Sequence, residues 1–157
     1  MLDDRIKSEV CLEREKLGVL HVILSTIELE NSQTMSYIQS ASEILISDYR
    51  ARYLENCVRL HEAQAISDIY YPEMSEAMRS IYGQSNMFWG SQEGVLRTDI
   101  KENQQGWSTH LQGALKASRE ISSHVQQLQC KITDRSQELN KVINSAPGNI
   151  WSFREEN

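Results

Sequence analysis

The side chains in this 157-residue chain with the reactivity to build a catalytic or metal site are four histidines, three cysteines and scattered carboxylates. Residues 59–65, RLHEAQA, hold the first half of the H-E-x-x-H motif, in which two imidazoles one helical turn apart bind zinc and the glutamate serves as base. Ala65 stands where the second imidazole must be, so His61 and Glu62 cannot form that centre. His110 and His124 lie two full heptads apart and are expected on an exposed helix face, as solvated side chains rather than ligands. Cys11, Cys57 and Cys130 are isolated and odd in number, without any C-x-x-C spacing. That usage argues against a disulfide framework or a zinc site and points to reduced thiols, buried at helix interfaces, in a cytoplasmic or otherwise intracellular protein.

Phosphate and nucleophile motifs are missing as well. There is no G-x-x-x-x-G-K-[ST] loop, and GSQEG (90–94) lacks the central serine of a G-x-S-x-G elbow. Diiron bundles use E-x-x-H repeats on facing helices, and none occurs. The acidic pairs Glu43/Asp48 and Glu73/Glu76 read as solvated carboxylates, the second pair suited to the first turn of a helix. The expectation is therefore a non-enzyme with no cofactor, no metal and no evident small-molecule substrate.

The elements that would carry these residues are helices. Two prolines and seven glycines leave room for long uninterrupted segments, and no alternating run of β-branched or aromatic residues suggests a strand. Residues 1–70 read as a first arm. Its apolar positions include Ile6, Val10, Leu17, Leu20, Leu24, Ile27, Met35, Leu45, Tyr49, Cys57 and Leu60, separated mostly by three, four or seven residues. Gly18 and the polar ENSQTMS (30–36) are the weak points where this arm can kink or break. Between 17 and 29 the apolar face widens to include Val19, Val22, Ile23 and Leu29, more than one partner helix can cover. A third helix or another chain is implied.

Residues 71–94 read as a short helix and a bend. Pro72 disfavours helical geometry at Tyr71 and suits the first turn of a new helix. A short helix over 72–82 should end at Gly83. Gly83, Gly90 and Gly94 beside Met87, Phe88 and Trp89 then read as the turn of a hairpin, the large side chains capping the open end of the bundle or forming a docking surface. The second arm, 95–143, has the clearest pattern in the chain. Trp107, Leu111, Ala114, Ser118, Ile121, Val125, Leu128, Ile132, Arg135, Leu139 and Val142 follow one another at alternating steps of four and three. Pro147 and Gly148 stop it, and the tail 144–157 carries Trp151 and Phe153 as docking residues.

The predicted fold is thus all-α: a single elongated unit over 1–157, a helical hairpin or coiled-coil bundle with two long helices. Net charge is −6, with −3 on residues 1–42 (seven acids, four bases), −3 on 43–82 (seven, four) and +2 on 95–142 (five, seven). Opposite charge on the two arms suits antiparallel pairing. No basic stripe exists to neutralise nucleic-acid phosphates, and LGVLHVIL (17–24) is too short to span a bilayer. The functional expectation is a coiled-coil interaction or assembly subunit that binds a protein partner or a second copy through helix packing. The alternative is a small helical component, chaperone or effector of a bacterial secretion or conjugation system. The candidate interaction residues are Val19, Val22, Ile23, Tyr71, Met87, Phe88, Trp89, Leu128, Ile132, Trp151 and Phe153.

Overall fold

The computed structural model of the chain describes residues 4–39 and 46–144. They form four helices, α1 (Asp4–Gln39), α2 (Ile46–Tyr70), α3 (Ser75–Arg97) and α4 (Gln104–Asn144), with no strand among the described residues. Each helix packs against its neighbours in the order α1–α2–α3–α4, and α4 returns to α1, which closes a four-helix bundle. The interhelical bonds fix the directions. Arg52 meets Glu30 while Tyr71 reaches Glu13, so α1 and α2 are antiparallel. Arg50 meets Glu93 while Arg79 meets Asp68, so α2 and α3 are antiparallel too. Gln129 reaches Ser25 while Arg135 meets Glu13, which opposes α4 to α1.

Two expectations change here. The first arm is not one arm: it is two helices, α1 and α2, packed on each other. The apolar face of α1 is wide because α2 lies on one side of it and α4 on the other, so Ile23 is buried and Val19 half-buried, while Val22 and Leu29 face outward. Nor do Gly83, Gly90 and Gly94 make a bend. All three lie within α3, which runs unbroken from Ser75 to Arg97. Pro72 opens only a single 3-10 turn, Pro72–Met74, entered through Tyr71 at φ −138° and ψ 68°. The turn that joins the last two helices is 98–103, TDIKEN. Thr98 Oγ1 donates to the Gly94 carbonyl at 2.7 Å, and Asp99 Oδ1 accepts from the Lys101 amide at 2.8 Å. Asn103 caps α4, its Oδ1 accepting from the Gly106 amide at 2.9 Å.

The glycines instead set a helix spacing. A Cβ at Gly94 would collide with the His110 ring, and one at Gly113 would come 2.8 Å from Ser91 Oγ. Bare glycine backbone lets α3 and α4 approach closely, and these two helices form the most extensive pair in the bundle.

The core is continuous through all four helices. Leu17, Leu20, Leu24 and Ile27 of α1 meet Tyr49, Leu60, Ala63 and Ile66 of α2, Met78, Ile81, Phe88 and Trp89 of α3, and Ala114, Ala117, Ile121, Val125, Leu128, Ile132 and Leu139 of α4. Each large aliphatic side chain withdrawn from water contributes about 1.5–3 kcal/mol. Of the heptad positions read on α4, Ala114, Ile121, Val125, Leu128, Ile132 and Leu139 are buried, Trp107, Leu111, Ser118 and Arg135 are half-buried and Val142 is exposed, while Ala117, outside the pattern, is buried as well. Beyond the level of Tyr71, Glu13 and Arg135, the start of α1 and the end of α4 continue without α2 and α3 beside them, and Ile6, Leu12 and Val142 are exposed.

Candidate interaction surface

The buried side first. The sequence reading makes Phe88 and Trp89 candidates for a docking surface, but both rings are enclosed by the bundle. Trp89 lies 5.0 Å from the Tyr49 ring, 5.7 Å from Tyr53 and 5.9 Å from Phe88. Their position on the inner face of an unbroken α3, rather than on an open bend, is the physical reason. Tyr71 is buried too; its hydroxyl donates to the Glu13 carbonyl at 2.7 Å, and burial together with the nearby Glu13 charge pushes the phenol up to about 12. Leu128 and Ile132 are buried in the α4 seam, and Ile23 in that of α1. Of the candidates, Val22 and Met87 are exposed, on different helices, while Trp151 and Phe153 lie outside the described residues.

The thiols and imidazoles build no centre. Cys11 and Cys130 are exposed and Cys57 is half-buried, so the thiols are not the buried residues the sequence suggests; each sits one or two positions off its helix's apolar stripe. Among the described residues, no group of three or more histidine, cysteine, aspartate or glutamate side chains could hold a metal ion. His61 instead shares a 3.1 Å hydrogen bond with the Tyr82 hydroxyl.

The core carries polar groups that pattern reading missed. Asn31, Asn56, Ser85 and Gln92 are buried, and both amide atoms of Asn31 and of Asn56, Ser85 Oγ, Gln92 Oε1 and Trp89 Nε1 have no hydrogen-bond partner among the described residues. Gln92 Nε2 donates to Met35 Sδ at 3.2 Å. Asn31 lines a cleft of about 440 Å³ between α1 and α4, edged by Glu28, Ser32, Ser118 and Ser122. Ser122 donates to the Glu28 carboxylate.

The outward side of α2 carries a pattern, and the outward side of α1 exposes Val22 and Leu29 as well. Ser47, Ala51, Leu54, Val58, His61 and Ala65 are all exposed and follow one another at steps of four and three, and Ile69 lies one further turn along. At about 3.6 residues per turn these positions form a single stripe, opposite the stripe of Tyr49, Asn56, Leu60, Ala63 and Ser67 that α2 buries. Leu54, Val58 and Ile69 are 63%, 68% and 71% exposed. Leu54 also borders a groove of about 520 Å³ between α2 and α3, lined by Tyr53, Gly90 and Gly94 and edged by Arg50, Glu93 and Arg97. The spacing was legible in the sequence; what masked it was that α2 has apolar residues on both faces, so its periodicity reads as one broad stripe. No helix among the described residues is long and apolar enough to cross a membrane. No protein-family model, curated protein or solved structure matches the chain.

Proposed function

We propose that this chain is a non-enzymatic interaction or assembly subunit, a helical bundle whose α2 presents a second, outward seam to a helix of another protein. The reading is carried by one observation: Leu54, Val58 and Ile69 stand in line at helical spacing on the side of α2 turned away from the core. Exposed apolar residues scattered singly are ordinary, but an aligned stripe at three- and four-residue steps is the arrangement that accepts a second helix. The missing metal-ligand spacing and nucleophile motifs in the sequence support the non-enzymatic half of the reading.

Site-specific photo-crosslinking in the native cell tests it. A photoreactive residue at Val58 should give discrete adducts with protein, and one at Gln126, on the exposed side of α4, should not. Equal labelling from both positions, or none from Val58, removes α2 as the docking face.

A further inference from the structure

We infer that the partner helix docking on α2 is basic along one margin and belongs to a different protein rather than to a second copy of this chain. The inference rests on the docking reading above and adds the partner's chemistry. Asp48, Glu55 and Glu62 are all exposed and stand seven residues apart, so they run as a line beside the apolar stripe. Among the described residues Asp48 and Glu62 make no ion pair, and Glu55 only approaches Arg59, at 3.8 Å. Of the arginines of the same helix, Arg50 is held by Glu93 at 3.0 Å and Arg52 by Glu30 at 2.7 Å, and Arg59 lies 3.8 Å from Glu55. Asp68, on the opposite margin, is held by Arg79 of α3 at 3.7 Å.

The face therefore offers an apolar stripe with an acidic line along one edge, where Arg59 is the single arginine beside three carboxylates on α2. In paired helices the apolar seam gives affinity, and charges flanking it choose the partner. Lysine or arginine at the flanking positions of an incoming helix would answer Asp48, Glu55 and Glu62. A second copy answers them badly. Laid antiparallel so that Leu54 meets Ile69 and Val58 meets Ala65, it brings Glu62 beside its own counterpart across the two-fold axis. Laid parallel, it offers the acidic line a margin whose arginine, Arg50, is already held by Glu93. Like charges at the centre of an isologous contact exclude the copy while admitting a basic helix.

Two fluorescent three-heptad peptides test this, both with leucine at the seam positions, one with lysine and one with glutamate along a single margin. Fluorescence anisotropy against the full chain should show the lysine peptide binding about tenfold or more tighter than the glutamate peptide, with the difference shrinking as salt rises. Val58→Glu should abolish binding, and Glu55→Lys/Glu62→Lys should reverse the preference. Circular dichroism checks that each variant remains helical. Equal binding of the two peptides, both lost in Val58→Glu, overturns the charge inference and leaves the docking face standing. No binding of either peptide, or binding indifferent to Val58→Glu, removes both. A dimer in sedimentation that Val58→Glu dissolves also overturns the inference, because the occupant is then a second copy.

Discussion

The Tyr49 hydroxyl donates to the Trp89 backbone carbonyl while its ring rests 5.0 Å from the Trp89 indole, so one residue of α2 is joined to α3 by both a hydrogen bond and an aromatic contact. The two effects separate by mutation. Tyr49→Phe keeps the ring and removes the donor, and should cost about 1 kcal/mol. Tyr49→Ala or Trp89→Ala empties part of the core and should cost about 3–5 kcal/mol. Urea unfolding followed by circular dichroism measures both. Equal losses for Phe and Ala at position 49 would contradict the packing role.

Asn56 is fully buried with neither side-chain amide atom bonded among the described residues. Leucine has nearly the same branched shape and asks for no hydrogen bond. Asn56→Leu is expected to raise stability by about 1 kcal/mol or more, the desolvation cost of an unanswered amide. A lower midpoint in thermal unfolding would mean that the amide is satisfied by bound water.

The helical glycines divide into two kinds. Nothing lies within 4 Å of a Cβ added at Gly83 or Gly90, whereas at Gly94 it would meet the His110 ring. Gly83→Ala and Gly90→Ala should each stabilise by up to about 1 kcal/mol, the helix-propensity difference. Gly94→Ala should gain nothing or lose, because the imidazole must swing away from the α3–α4 contact. Thermal midpoints of the three variants give the ranking directly.

Inside and outside of the bundle predict opposite outcomes for the same kind of change. Leu128→Asp buries a charge at a fully enclosed position and should abolish cooperative folding. Val58→Glu adds a charge at an exposed position and should leave stability within about 0.5 kcal/mol. Helicity and the sharpness of the thermal transition distinguish them.

Stability should have both an acid and an alkaline limb. Glu93 is held below the usual carboxylate range chiefly by the Arg50 hydrogen bond, with help from the Arg97 charge, and Asp68 chiefly by Ser75 and then Gln64. Depressed carboxylates contribute stability above the ordinary carboxylate range and lose it as the pH falls. Burial raises the phenols of Tyr49 and Tyr71, the latter to about 12. A raised phenol contributes fully below about pH 10 and loses its contribution as pH rises, at up to about 1.4 kcal/mol per pH unit for each. Denaturant midpoints should be level near neutrality and fall on both sides, and Tyr71→Phe should flatten the alkaline limb.

How far the sequence could be read depended on how the apolar residues of each helix are distributed around it. α4 confines them to one narrow stripe, and its buried residues from Ala114 to Leu139, Ala117 excepted, follow from spacing alone. α1 and α2 also carry exposed apolar residues, Val22 and Leu29 on the one and Leu54, Val58 and Ile69 on the other, so their periodicity is blurred and the two read as a single arm. In the sequence Gly83, Gly90 and Gly94 look like a turn because glycine serves both turns and close helix contacts. The real turn announced itself more quietly, through Thr98, Asp99 and the capping Asn103, whose short side chains bond their own backbone. The docking aromatics were misplaced for the same reason: once α3 is continuous, Phe88 and Trp89 fall on its inner side. The buried amides carry no periodic signal at all, and only packing reveals them.

The paired ends of α1 and α4 that run past Tyr71 have a consequence for how the molecule comes apart. Fewer apolar contacts shield their backbone amides than shield those between Leu17 and Ile27. Deuterium should therefore enter residues 4–12 and 136–144 well before the middle of the same two helices, through partial opening that leaves the rest folded. A protease that cuts there would trim the molecule without unfolding it.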